Sequence, residues 1–483
     1  MKHTLVISDV HLCEAVHSDG PWMRWRQRPY FPDAEFVGLV DHLLVRLPPG
    51  EHAELVFNGD LFDFDAGRVI DGRAVFEDLP RTEPVARELI ERILDDHPGY
   101  VDAVGRFLAA GHHVVFVSGN HDPQLGFDRV RRFIRERLAL AAGHPRFADA
   151  VHFRAWFHHT AEGIHIEHGN QFDPYCSFRY PMLPLLPPER GRDRVIAPTV
   201  GSITFRLLGS RLGTMNPHFD DSWDMSFGDY LRHWSKHYLR TEHSLAWTFF
   251  AGSFRIVAQT FQGRDAGSAD RFHRDVEAAA RETRCDPDRV AEHARLFAPP
   301  ADEALHKVIR EFYVDRVVLG ALSAGAIVAP LVARSRRTVS VALGAIFLML
   351  GYELASPSRG LDDNYRRIAG RARDIARIYG SRAVIFGHTH TPYGVWEEGV
   401  FFGNSGTWSP AMVDIESGAI SAEHKPVLWM TAEDGALSGG LFRWDGTHLE
   451  PDPEAISPVP VRRPREATPS VHPPPYASPV GVD

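Results

Sequence analysis

The chain has 483 residues, enough for one large domain with an insertion or for two domains. Its net charge of −10 gives no electrostatic case for nucleic-acid binding, and its 44% hydrophobic and 24% charged residues are those of an ordinary globular protein. The three cysteines, Cys13, Cys176 and Cys285, form no CxxC pair and fit a reducing compartment better than a disulfide framework.

In chain order, the N-terminus passes from a short apolar run straight into Asp9. A secretory leader needs a longer apolar core, so a cytoplasmic location is expected. Leu5–Ser8, Leu55–Asn58, Val114–Ser118 and Ile164–His168 each read as a buried strand ending in polar residues. Between them Pro84–Leu94, Tyr100–Ala110 and Asp128–Ala142 carry a helical apolar period. Ala383–Phe386 and Val400–Gly403 give two more strands late in the chain. Strands alternating with helices predict an α/β core made of residues 1–175 and 380–449.

Residues 176–379 read as a large helical insertion, with helices over Asp265–Arg284, Pro287–Phe297 and Ala304–Arg316. Within it, Val317–Ala333 and Thr338–Tyr352 carry no charge, and Arg334, Arg336 and Arg337 lie between them. Both runs fall at or below the roughly 20 residues needed to span a bilayer. Three readings stay open for the hairpin 317–352: insertion into one leaflet at the inner membrane face, burial within the cap, or a homo-oligomer contact through small residues such as Gly320 and Ala324. The first is preferred. Residues 450–483 are rich in proline and polar side chains, and a disordered tail is expected there.

Five clusters follow the predicted strands: Ser8-Asp9-Val10-His11, Asn58-Gly59-Asp60, Gly119-Asn120-His121-Asp122, His168-Gly169-Asn170 and Gly387-His388-Thr389-His390. Strand ends are where open α/β sheets place ligands. Asp9 and His11, like His388 and His390, are two apart, so in extended chain each pair points to one side. Imidazole, carboxylate and amide oxygen together suit Mn²⁺, Fe or Zn²⁺ better than Ca²⁺.

In this order the motifs resemble those of the calcineurin-like metallophosphoesterases, over residues 1–175 and 380–410. The resemblance implies a β-sandwich core flanked by helices and a pair of divalent metal ions. By that resemblance Asp9, His11, Asp60 and His390 bind the first ion, and Asp60, Asn120, His168 and His388 bind the second. His121 protonates the leaving oxygen, Asp63 orients it, and hydroxide on the metals attacks phosphorus. The stretches Gly59-Asp60-Leu61-Phe62-Asp63 and His168-Gly169-Asn170-Gln171-Phe172-Asp173 are similar to the branch containing UDP-2,3-diacylglucosamine pyrophosphatases, although that branch commonly has arginine in place of His121. The substrate expected is a phosphorylated small molecule, with a lipid-linked one in view because of the apolar hairpin. The alternative is a non-catalytic scaffold of the same fold; degenerate scaffolds lose ligands, and this chain keeps the whole set.

Other residues have plainer readings. His112, His113, His158, His159 and His165 fall in no motif and are expected to be structural, as are Asp122, Asp173 and a buried Cys13. The stretch from Trp22 to Phe31, with Arg24, Arg26 and Arg28, reads as a surface loop slightly ahead of a phosphate-binding entrance.

Overall fold

Leu5, Val6 and Ile7 have no exposed surface, because the strand they end is covered on both faces. Successive side chains on a strand point to opposite faces. Accordingly Leu5 and Ile7 join a layer of helices, whereas Val6 faces a second sheet. In the computed structural model the described residues are 2–17, 23–48, 50–71, 73–76, 80–186, 194–212, 218, 232, 235, 252–258, 269–304, 308–309, 314–332, 338–355, 362–409, 412–414, 419–420 and 425–452.

Twelve strands build two sheets: β1 (Lys2–Ile7), β2 (His52–Asn58), β3 (His113–Val117), β4 (Val151–Arg154), β5 (Phe157–His159), β6 (Ile164–Glu167), β7 (Ala383–Phe386), β8 (Tyr393–Glu397), β9 (Val400–Asn404), β10 (Lys425–Glu433), β11 (Ala436–Trp444) and β12 (Leu449–Pro451). The larger sheet has the order β12-β11-β10-β1-β2-β3-β4, the smaller β8-β9-β7-β6-β5. Strands β1 to β4 pair in parallel, and β10 closes antiparallel on β1. In the small sheet β6, β7 and β9 are parallel, with antiparallel strands at both edges.

The inner faces of the sheets meet in one apolar layer that includes Val6, Val56, Val115, Ile164, Ile166, Ile385, Phe401 and Met430. Outside the large sheet lie helices α1 (Asp33–Arg46), α2 (Glu83–Asp96), α3 (Pro98–Ala109) and α4 (Asp128–Ala141), which contribute Leu39, Ile90, Phe107 and Ile134 to the main core. Each such side chain, once buried, contributes about 1.5–3 kcal/mol before entropy is counted. The expected sandwich flanked by helices is therefore the observed fold.

The helical segment sits inside a crossover. Strands β6 and β7 are parallel neighbours, Ile164 opposite Ala383, yet the chain between them carries α5 (Ala269–Thr283), α6 (Pro287–Ala294), α7 (Val314–Val332), α8 (Thr338–Ala355) and α9 (Asp362–Tyr379). Parallel strands need a crossover, normally one helix long. Here α5, α6 and α9 cover the outer face of the small sheet through Val276, Val290, Ile375 and Tyr379.

Helix α6 stops at Ala294, short of the Phe297 expected from its apolar period. The expected helix Ala304–Arg316 falls largely on residues that are not described, and α7 begins only at Val314. Helices α7 and α8 coincide with the two uncharged runs and pack on each other, while Arg334, Arg336 and Arg337 lie outside the described residues. Among the described residues no helix is long and apolar enough to cross a membrane.

Two expectations need correction. The polar tail begins later than residue 450, because Leu449–Pro451 pairs with β11; residues 453–483 lie outside the described ones. The stretch after the first motif is only in part at the surface, where Arg28 is exposed. Trp25 and Arg26 are buried, and the Arg26 guanidinium donates to the carbonyls of Glu14, Ala66 and Gly67. An arginine so saturated by backbone carbonyls is not available to a phosphate.

Candidate metal centre

The five loops converge at one end of the sandwich because the parallel strands that precede them all run the same way. Four of the loops are stitched in pairs by backbone hydrogen bonds, Asp9 N to Gly59 O at 3.2 Å and Gly387 N to His168 O at 3.0 Å. Two glycines permit the close approach. A Cβ on Gly59, whose φ is +80°, would overlap the His168 ring, and one on Gly119 would overlap the Asp60 carboxylate.

All seven residues expected to hold metal come together. In one group Asp9 Oδ1 lies 3.1 Å from His390 Nε2 and 4.0 Å from His11 Nε2, and the two imidazole nitrogens are 3.5 Å apart. In the other, His168 Nε2 lies 3.1 Å from Asp60 Oδ2 and 3.2 Å from Asn120 Oδ1, with His388 completing the set. The groups adjoin, since Asp9 Oδ1 is 4.0 Å from His168 Nε2.

Four of the donors are aimed by a partner on the far side. His168 Nδ1 donates to Asn58 O at 2.9 Å and His390 Nδ1 to His218 O at 2.7 Å, which leaves each Nε2 lone pair pointing inward. Asp60 Oδ1 accepts from His121 N at 2.7 Å and Asp9 Oδ2 from His388 N at 3.2 Å, so one oxygen of each carboxylate stays inward. Asn404 donates to Gly387 O and so holds the double-histidine loop.

Backbone strain is concentrated on the same residues. Asp9, His11, Asp60, His388 and His390 have φ between 50° and 67°, a region that costs a non-glycine residue about 1–3 kcal/mol. Asp9 Oδ1 and His11 Nδ1 are buried without a hydrogen bond among the described residues. Inward carboxylate, imidazole and amide oxygens held under strain, with orphaned atoms among them, fit divalent cations.

Charge follows the geometry. Burial pushes the Asp9 and Asp60 carboxyls upward, but the facing His168 and neighbouring imidazoles hold both below the usual carboxylate range. Burial and the surrounding histidines push His11 well down, so it stays neutral, as a ligand must. Burial alone lowers His168, yet Asp60 and Asp9 raise it to about 9; a bound cation acts in the opposite direction.

His121 stands beside these groups. Its Nδ1 is 3.2 Å from Asp63 Oδ1 and 3.6 Å from Asp65 Oδ2. Burial disfavours its charge, but Asp60 and Asp63 outweigh that and raise it to about 10. Asp63 also binds His218, Oδ2 to Nε2 at 2.7 Å. Burial takes His218 down to about 4 despite Asp63, so it donates to the carboxylate as a neutral ring.

His218 was not legible in the sequence. It follows Asn216 and Pro217 within the helical segment, in no motif, yet its ring stacks on His11 with centroids 3.5 Å apart. Asp173, expected to be structural, both caps its own turn through Tyr175 N and faces His388 Nε2 at 3.3 Å. Asp122 binds the amides of Gly119, Leu61 and Phe62 and ties two of the loops together. Cys13 is buried, which pushes its thiol up to about 12.

No curated protein matches the chain. Residues 2–208 match the family model described as calcineurin-like phosphoesterase, a span that carries Asp9, His11, Asp60, Asn120, His121 and His168. His388 and His390 lie beyond that span, and the fold brings them to the same cluster. The match and the cluster together support metal-dependent phosphoester hydrolysis, with divalent ions as the cofactor.

Proposed function

We propose that the chain is a dinuclear metal-dependent hydrolase that cleaves a phosphate ester or a pyrophosphate. The observation that carries this is the pair of adjoining donor groups with His121 beside them. Asp9, His11, Asp60 and His390 hold one ion; Asp60, Asn120, His168 and His388 hold the other. Mn²⁺, Fe and Zn²⁺ all suit these donors. Two bound cations supply Lewis-acid stabilisation of phosphoryl oxygens and lower the pKa of water towards about 7.

The chain's own residues do the rest. Asp60 has one oxygen anchored and one free to be shared. His121 presents Nε2 to the substrate while Asp63 holds Nδ1–H, and it gives a proton to the departing oxygen. His218 keeps Asp63 in place from the opposite side. The test is hydrolysis of an aryl phosphate panel by metal-free protein resupplied with each ion. No activity with any ion would favour the non-catalytic scaffold instead.

A second feature bears on the substrate. On α7 and α8, Leu322, Val328, Phe347 and Leu348 are all more than half exposed. Apolar side chains presented to water on one hairpin favour peripheral membrane contact and a lipid-linked phosphate or pyrophosphate, such as an acylated nucleotide sugar. Co-flotation with anionic lipid vesicles, lost on Phe347→Glu with Leu348→Glu, is the expected result. Equal recovery of both proteins away from vesicles would sink this part alone.

A further inference from the structure

A second set of donors is buried beneath the helical segment. On β6, Ile164 and Ile166 face the inter-sheet core, so His165 and Glu167 share the opposite face. Helix α6 places His293 over them. All three side chains are without exposed surface. Glu167 Oε1 lies 3.2 Å from His293 Nε2 and 3.6 Å from His165 Nε2.

The 3.6 Å contact is too long for a hydrogen bond, and both distances fit two donors of one shared ion. Two donors about 2.0–2.1 Å from a tetrahedral zinc are about 3.3 Å apart. The groups at the strand ends show the same spacing, 3.1 Å for His168 to Asp60 and for His390 to Asp9. Glu167 Oε1, His293 Nε2 and both ring nitrogens of His165 make no hydrogen bond among the described residues. Fully buried polar atoms are almost always satisfied, and here one atom from each residue lies within 4.8 Å of the other two, which calls for something between them.

The outer partners are those a ligand set needs. Trp156 Nε1 donates to Glu167 Oε2 at 2.9 Å, and His293 Nδ1 is 3.3 Å from the Tyr379 hydroxyl. With Nδ1–H directed at Tyr379, the Nε2 lone pair of His293 faces Glu167. Trp156, Phe157 and Phe297 surround the rings and keep the pocket dry.

We propose that His165, Glu167 and His293 hold a further divalent ion of the zinc class, separate from the centre at the strand ends. The two sets share no residue. Its role is structural: it pins α6 of the helical segment to β6, whose next residue is His168. The Asn58 amide, which donates to Glu167 O, joins this strand to the loop of Asp60.

Zinc counting on the full chain tests this. Protein loaded with Zn²⁺ and freed of excess is compared with Glu167→Gln, His293→Gln and Asp60→Asn. The expected result is that Glu167→Gln and His293→Gln each hold about one zinc per chain fewer than wild type, while Asp60→Asn keeps that ion. Folded Glu167→Gln and His293→Gln proteins with undiminished zinc would overturn the proposal. Should the variants fail to fold, an anomalous difference map at the zinc edge of the wild-type crystal decides: a peak between His165 and His293 supports the site, and its absence overturns it.

Discussion

Asp63, in the loop after β2, meets His218, within the long crossover between β6 and β7, Oδ2 to Nε2 at 2.7 Å, and the same carboxylate turns its other oxygen to His121 at 3.2 Å. The helical segment thereby reaches the group that handles the proton. Replacing Asp63 by Asn removes one of the charges that, with Asp60, keep His121 protonated. His121 is raised to about 10, and a general acid works below its own pKa. The alkaline limb of kcat/KM therefore moves to lower pH in Asp63→Asn, and kcat falls about 10–100-fold. A limb in the wild-type position would show that Asp63 does not act on His121.

His121→Ala is expected to cost about 10²–10⁴ in kcat with an alkyl phosphate, whose leaving oxygen needs a proton. With p-nitrophenyl phosphate the loss is smaller, because that anion departs unaided. Metal content stays close to wild type. Equal losses on both substrates would argue against proton donation.

Gly119→Ala tests the packing beneath Asp60. The new Cβ would overlap Asp60 Oδ1 and lie 2.6 Å from Asp60 N, and neither neighbour can move freely. Overpacking of this kind costs about 1–3 kcal/mol. A lowered denaturant midpoint is expected, together with loss of metal affinity in the protein that still folds. Midpoint and affinity equal to wild type would show that the loop yields.

Chelation of the wild-type protein is expected to abolish hydrolysis and lower the melting temperature, with both restored by divalent ions. The strained Asp9, His11, Asp60, His388 and His390 are held against electrostatic repulsion and orphaned atoms that cations relieve. Hydrolysis that survives complete metal removal would refute the assignment of the centre.

Glu54 offers a check on acid stability. Burial pushes its carboxyl up, but His158 at 3.3 Å and Lys2 at 3.7 Å hold it at about 2 against an ordinary 4.5. Its contribution is present above pH 4.5 and is lost as pH falls towards 2. The difference corresponds to about 3 kcal/mol as an upper bound. Glu54→Gln is expected to destabilise at neutral pH and to flatten the decline between pH 4.5 and 2; an unchanged urea-midpoint profile would contradict it.

Much of this molecule follows from short-range pattern. Apolar runs of strand length ending in Asp9, Asn58, Ser118 and His168 determine where strands stop, because a segment buried on both faces must be apolar throughout. Donors just past those ends then share one edge of the sheet. The helices over Glu83–Asp96 and Asp128–Ala141 were legible for the same reason, from the period at which one face must be buried.

What only the tertiary structure decided concerns meetings across long stretches of chain. Arg26 is buried because Glu14, Ala66 and Gly67 bring three sets of carbonyl lone pairs to it, and no local signal encodes those partners. His218 enters the centre, and His293 meets His165 and Glu167, because the helical segment folds back over the small sheet. Sequence spacing specifies what each segment must bury and which way adjacent side chains point. Which distant side chains then face one another depends on how the buried faces dock, and that is a property of the packed whole.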